Sequence, residues 1–301
     1  MKLFIYSRAR TLLTGEIWEW CVAAPDKFGY TWALNDEYAD AIEAKYGQPI
    51  PAENRYSRIT AEDVDGESFM VSVGGDGTLL EAVGRLRGLP MPVIGVNMGR
   101  MGFLANISPA RIDSAFTDIF AGRYNIEQRT MLRVEGDFGA VQPEFPCALN
   151  EFTIHRHTAD MAEVAVYSEG KLLTIVRGDG VIASTPTGST AYSLSAGGPL
   201  VAPDCACVVY SAIAPHNFSI RPMVVPDTSV VTFEVRTRDR EALASLDNTS
   251  FLVGDGARFV IKKAEFSAFL MQIQNISFYD TLRDRTMWGV DRRDALSPGV
   301  R

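Results

Sequence analysis

The sequence predicts an α/β fold followed by an all-β one. Three observations carry this. Before residue 124, short apolar runs that suit buried strands alternate with stretches of helical period. After it, short segments alternate apolar and polar residues between clusters of Gly, Asp, Asn and Pro. The chain has 301 residues, 47% apolar and 22% charged. That is the composition of a globular protein, and the length suits about two domains of ~100–200 residues.

In chain order, Leu3-Phe4-Ile5-Tyr6 is a first strand. Residues 33 to 46 have the spacing of an amphipathic helix, closed by Gly47. Residues 48–66, with Pro49 and Pro51, suit a loop and a short helix. Phe69-Met70-Val71-Ser72-Val73 and Val93-Ile94-Gly95-Val96 are apolar enough to be buried on both faces, as parallel strands are. Ser108-Pro109 introduces a helix over 110–120, with Pro at its first position. In the β-rich half, Ala162 to Tyr167 and Val230 to Val235 alternate as strands do, and Thr281 to Arg285 is a charged helix.

Net charge is −8, which excludes a nucleic-acid binder built on a basic footprint. A nucleotide ligand would have to be drawn by local backbone N–H groups or a bound cation. No run approaches the ~18 apolar residues of a membrane span. Met1 to Arg8 lacks the ~7–15-residue apolar stretch of a signal peptide, so the cytoplasm is expected. Cys21, Cys147, Cys205 and Cys207 form no CxxC pair and are expected as reduced, mostly buried thiols. In that compartment the Asn-x-Ser/Thr matches at Asn217, Asn248 and Asn275 are coincidental.

The most informative stretch is Val73-Gly74-Gly75-Asp76-Gly77-Thr78. A buried strand runs into three glycines and an aspartate. Then Leu79, Leu80, Val83 and Leu86 recur at helical spacing. Thr78 and Glu81 have the spacing of a capping box. The loop therefore joins a strand's C-terminal end to a helix N-terminus, where open α/β sheets bind ligands. A plain hairpin turn would need a second strand directly after the glycines. There is no G-x-x-x-x-G-K-[ST] and no G-x-G-x-x-G here. Asp76 makes sense among phosphate-binding amides only as a base or as a group tied to a metal. A second turn, Asn97 to Leu104 with Gly99, Arg100 and Gly102, follows the next strand and should line the same crevice.

Between Ser184 and Ser195 seven positions carry hydroxyls, joined by the Tyr192 phenol. Hydroxyls donate and accept, which suits ribose and phosphate; a polar surface loop would read the same way. Ser193 to Gly197 lacks the first glycine of a nucleophile elbow. His155 and His157 share a strand face without a third zinc ligand, and no residue is assigned to a metal. Asn150-Glu151 could grip a ribose diol or a nicotinamide, or simply form a strand-end turn. Trp288 is expected to be buried in the tail.

Together these motifs resemble the NAD kinase family. The matching residues are Gly74 to Thr78, Asn97-x-Gly99-x-x-Gly102-Phe103-Leu104, Asn150-Glu151 and the tract from Gly178 to Gly198. Pro215-His216, Arg221 to Pro226, Leu282-Arg283 and Trp288-Gly289 also match. Gly-Gly-Asp-Gly alone is shared with lipid kinases and, more loosely, phosphofructokinases; the hydroxyl-rich tract is the more specific part. The resemblance implies a Rossmann-like N-terminal domain, 1–123 with the returning segment 276–301. It implies a β-sandwich-like, NAD-binding domain over 124–275. It implies transfer of the γ-phosphate of ATP, or of polyphosphate, to the 2′-hydroxyl of the adenosine ribose of NAD, with Mg²⁺. Asp76 would be the base, or would orient substrate and metal. The implied binding set is Gly75, Asp76, Gly77, Thr78, Phe103, Asn150, Glu151, Arg177, Asp179, Ser184, Thr187, Thr190, Ala191, Tyr192 and Ser195. Asp179 would act partly from a neighbouring subunit, which implies a homodimer or homotetramer. No role is implied for Asp247-Asn248-Thr249, where relatives often differ. A lipid or sphingoid-base kinase and a non-catalytic nucleotide sensor are the competing readings; product formation from NAD or from diacylglycerol separates them.

Overall fold

The computed structural model describes residues 1–8, 28–99, 102–236, 241–273 and 277–287. The chain forms two compact units. One is Met1–Ala82 with Met91–Glu127 and Leu270–Arg301; the other is Val83–Pro90 with Gln128–Phe269.

The first unit holds strands β1 (Lys2–Tyr6), β2 (Thr31–Asn35), β3 (Arg55–Tyr56), β4 (Phe69–Gly74) and β5 (Val93–Asn97). They pair in parallel in the order β3-β2-β1-β4-β5. The chain winds outward from β1 to β3, then crosses back to β4. The order therefore reverses between β1 and β4, and ligands of open α/β sheets bind outside the strand ends at such a point. β4 and β5 are neighbours, as the two glycine-rich turns required. Helices α1 (Asp36–Tyr46), α2 (Asp76–Leu86) and α3 (Ile112–Phe120) follow strands of this sheet. Tyr38 and Ile42 of α1, and Phe116 and Ile119 of α3, share a core with Ile5, Val71 and Ile94.

Two local expectations change. The helix expected from residue 33 begins at Asp36, because Ala33 and Leu34 are buried in β2. A strand's apolar end and a helix's apolar stripe run together there without a break in pattern. Gly47 does close α1, in the left-handed region at φ +68°. The capping box expected at Thr78 and Glu81 does not form. The helix starts at Asp76, with the Gly75 carbonyl accepting from the Thr78 and Leu79 amides, and Glu81 bonds instead to Tyr6 and Arg8.

The second unit is antiparallel. Its strands are drawn from β6 (Tyr124–Gly136), β7 (Cys147–Ala148), β8 (Glu151–Arg156), β9 (Ala162–Ser168), β10 (Lys171–Gly178) and β11 (Gly180–Ser184). The rest are β12 (Cys207–Ile213), β13 (Met223–Pro226), β14 (Val231–Val235), β15 (Glu241–Leu246), β16 (Thr249–Gly254) and β17 (Arg258–Ile273). One sheet runs β13-β12-β11-β8-β15-β16; the other includes β10-β9-β14-β17. Phe152 from the first meets Phe233 and Phe259 from the second, with ring centroids 6.2 and 5.1 Å apart. This shared apolar layer is the expected sandwich core. A one-turn helix, α4 (Tyr192–Ser195), interrupts the hydroxyl-rich tract. The last segment, in the first unit, is α5 (Phe278–Thr286), capped by Ser277 and Asp280.

Cys147 is buried, but Cys207 is half-buried and Cys205 exposed; all three are free thiols. The expectation of mostly buried thiols therefore fails among the described residues. Cys205 lies in a turn between strands, where nothing packs over it. Cys21, Arg100, Asn275 and Trp288 lie outside the described residues. Among the described residues, no helix is long and apolar enough to cross a membrane.

Candidate active site

In the first unit the site is built on the ends of β4 and β5. Asp76 opens α2, where the helix N-terminus favours a negative side chain. Its two carboxylate oxygens accept from three consecutive amides of the second turn, Phe103 at 2.8 Å, Leu104 at 3.1 Å and Ala105 at 2.9 Å. Gly102 is what allows this approach. A Cβ there would stand 2.2 Å from the Asp76 carboxylate, so only glycine fits. The two glycine-rich turns are thus joined by a single side chain. Gly75, Asp76, Gly77 and Phe103 are half-buried and face outward from the strand ends, while Thr78 is buried beneath them.

Arg8, just past the end of β1, completes this corner. Its guanidinium donates to the Gly77 carbonyl at 3.2 Å and grips both oxygens of Glu81, at 2.6 and 2.8 Å. Glu81 also raises the affinity of Arg8 for its proton. Sequence reading missed this cation. The available signal was an arginine two residues beyond the first parallel strand, beside the point where the strand order reverses.

In the second unit a matching construction surrounds Asn150 and Glu151. Asp247, in the turn between β15 and β16, is half-buried. It accepts from the amides of Leu149 at 2.8 Å, Asn150 at 2.8 Å and Glu151 at 3.1 Å. The carbonyls on the same residues are held by the hydroxyl-rich tract. Thr185 Oγ1 donates to Leu149 O at 2.6 Å, and the Thr185 amide donates to Asn150 O at 2.9 Å. Gly188 packs so closely on the Asn150 carbonyl that a Cβ would come within 2.2 Å of it. With the main chain so fully engaged, the side chains are what remains to offer. Asn150 Oδ1 and Glu151 Oε2 are both buried without a hydrogen-bond partner. Buried polar atoms without partners are rare and call for an explanation.

The titration of this region follows from its burial. Desolvation, with the nearby Asp247 charge, pushes the Glu151 carboxyl up to about 8, against the opposing pull of the Tyr192 amide. Burial raises Asp247 to about 6 although three amides favour its charge. Tyr192 is raised by burial and by Asp179 and Glu151.

Two family models match the chain. Residues 19–124 match the ATP-NAD kinase N-terminal domain, and residues 149–271 match the ATP-NAD kinase C-terminal domain. The chain belongs to the NAD kinase family. The NAD kinase of Cytophaga hutchinsonii is 37% identical over 236 residues, covering 77% of this chain and 80% of that protein. The NAD kinase of Bacteroides fragilis is 37% identical over 226 residues, covering 75% and 78%. Among solved structures, yeast NADH kinase complexed with NADH shares the fold with a TM-score of 0.83 at 18% identity, over 97% of this chain and 89% of that one. The NAD kinase of Archaeoglobus fulgidus in complex with ATP has a TM-score of 0.71 at 25% identity, over 95% and 98%. The family is one of kinases, and its reaction is phosphorylation of NAD to NADP.

The remaining residues of the expected binding set fall into three groups. Ser184 is wholly buried, its hydroxyl against the carbonyls of Asn150 and Thr185. Thr187 is buried and accepts from Arg129, while Thr190 donates back to the Thr187 carbonyl. These hydroxyls are spent on the protein itself. Tyr192 and Ser195 are exposed on α4, and Thr190 and Ala191 are half-buried beside it. Arg177 pairs with Glu163 at 2.7 Å and Asp179 with Arg156 at 2.8 Å, both at the surface.

Proposed function

We propose that this chain transfers the γ-phosphate of ATP to the 2′-hydroxyl of the adenosine ribose of NAD, giving NADP. The observation that carries the reading is the carboxylate of Asp76. It lies at the helix N-terminus beside the strand-order reversal, wired to the second glycine turn by three amides. A secondary hydroxyl is a weak nucleophile. A carboxylate within hydrogen-bond reach of it would speed attack by roughly 10²–10⁴-fold. Phosphoryl transfer otherwise needs position and charge neutralisation. Arg8 at the Gly77 carbonyl supplies one cation.

Mg²⁺ would enter with ATP. Mg²⁺ is commonly bound through one or two carboxylates and substrate phosphates rather than a protein cage. When bound, it would offset the polyphosphate charge. Asn150 and Glu151 would bind the NAD ribose or nicotinamide through their unpartnered oxygens, with Tyr192 and Ser195 closing on the same ligand. Gly75, Gly77, Thr78 and Phe103 would flank the phosphates. Arg177, Asp179, Ser184, Thr187, Thr190 and Ala191 would complete the pocket, directly or by holding its wall. The working domains would be 1–123 with 276–301, and 124–275.

We place the enzyme in the cytoplasm as a homodimer or homotetramer. Phe218, Met223 and Val224 are exposed at and beside β13, an edge strand of the six-stranded sheet. An exposed apolar edge of that kind favours pairing with a second copy. Light scattering checks the mass. The reaction is tested by incubating the purified protein with NAD and ATP, polyphosphate or no donor, and with diacylglycerol in place of NAD. NADP is expected with ATP. Phosphorylated lipid, or NAD binding without any product, would replace this reading with one of its competitors.

A further inference from the structure

Asp247 belongs to no recognised part of the reaction, yet its carboxylate holds the main chain of the residues that carry the unpartnered oxygens. It sits in the left-handed region at φ +49°, a conformation that costs a non-glycine residue strain. Its own amide donates to the Glu151 carbonyl at 3.0 Å. The β15–β16 turn therefore grips the start of β8 twice, through the Asp247 amide and through its carboxylate. A tight turn needs neither. A serine or asparagine could have capped one amide, whereas Asp247 spans three in succession, at 2.8, 2.8 and 3.1 Å.

We propose that Asp247 is a positioning residue for Asn150 and Glu151: it fixes their main chain from behind and sets a like charge near the Glu151 carboxyl. The proposal rests on the reading of Asn150-Glu151 as the NAD-binding pair. The groups facing Glu151 are Asp247 and the amide and phenol of Tyr192. Those facing Asp247 are Glu151 and, from β7, the Cys147 thiol. From β6, Arg133 acts on the Cys147 thiol; among the described residues no cation contributes to the shift of Glu151. With Asp247 ionised and satisfied by amides, Glu151 keeps its proton at neutral pH. A protonated Glu151 donates through one oxygen and accepts through the other. It therefore suits a neutral ligand group that does both, such as a ribose hydroxyl or a carboxamide, and repels no phosphate. An ionised glutamate there would only accept.

The test reads Glu151 directly. Infrared titration of the whole protein without ligand should show a protonated-carboxyl C=O band at pH 7 that vanishes with a midpoint near 8 and is missing in Glu151→Gln. In Asp247→Asn, which removes the charge, that midpoint should fall by about one pH unit or more. The rise in KM for NAD at high pH should move with it, while kcat changes less. An unmoved midpoint in Asp247→Asn, or a wild type without the band at pH 7, overturns the proposal. Should Asp247→Asn fail to fold, the wild-type and Glu151→Gln spectra still decide. Asp247→Glu adds a second arm: it keeps the charge but shifts the grip, so KM for NAD should rise about tenfold with the midpoint nearly unchanged, and an unchanged KM overturns the positioning claim. If the band behaves as stated but Glu151→Gln leaves KM for NAD untouched, the ionisation coupling stands and the NAD-binding reading of Glu151 is what fails.

Discussion

Asp76 and Asp247 are wired alike and placed differently. Each spends one carboxylate on three consecutive amides, 103–105 for Asp76 and 149–151 for Asp247. Asp76 opens a helix and remains half-buried. Asp247 is half-buried as well but sits in a left-handed turn between strands, where desolvation raises its affinity for a proton. The comparison teaches that the wiring alone does not make a catalytic group. What separates the two is placement and the access it would give: Asp76 stands at a strand end where a helix begins, and Asp247 in a hairpin turn behind residues 149–151.

The largest expected effect tests that access. Asp76→Asn should cut NADP formation by roughly 10²–10⁴-fold while calorimetric NAD binding persists. If binding collapses together with turnover, Asp76 is only a clamp like Asp247 and the contrast disappears. Next comes Asp247→Ala. Three buried amides lose their acceptor at once, so urea unfolding should show a loss of about 3–5 kcal/mol, and more than Asp76→Ala shows. Equal losses would mean that the two carboxylates clamp their loops to the same extent.

A smaller effect has the opposite sign. Glu151 is raised from 4.5 to about 8 on folding. The folded state therefore binds the proton more tightly than the unfolded chain between those values. That contribution is complete below pH 4.5 and is lost as pH rises through about 8. Glu151→Gln should remove the loss, leaving the variant more stable than wild type by roughly 2–4 kcal/mol above pH 8 while NAD turnover falls. Thermal melts of ligand-free protein from pH 5 to 9 check it; parallel curves would show that Glu151 is not desolvated. Smallest is Arg8→Gln, which should raise KM for ATP about tenfold, on the order of 1.4 kcal/mol. It should barely change stability, since a half-exposed ion pair contributes about 0–1 kcal/mol.

Much of this was legible in residue order. The buried runs at 69–73 and 93–96 became adjacent parallel strands, since a run apolar on both faces has few other places to go. The Gly-Gly-Asp-Gly stretch declared a strand-to-helix loop. The helix start was misjudged by three residues because Thr78 and Glu81 mimic a capping box, whereas Glu81 is claimed by Tyr6 and Arg8, more than seventy residues earlier. The hydroxyl-rich tract was recognisable as important, but not which of its oxygens face inward. Ser184 and Thr185 turned out to hold the carbonyls of residues 149 and 150.

What the sequence determined by itself is therefore the local part: the α/β and all-β halves and the loop that carries Asp76. Period and composition act over a few residues, and such features are readable at that range. Only the tertiary structure decided that Asp247 stands behind residues 149–151 and Arg8 beside Gly77. Those contacts join positions about a hundred and about seventy residues apart. They depend on strand register and burial, which no short stretch of sequence encodes.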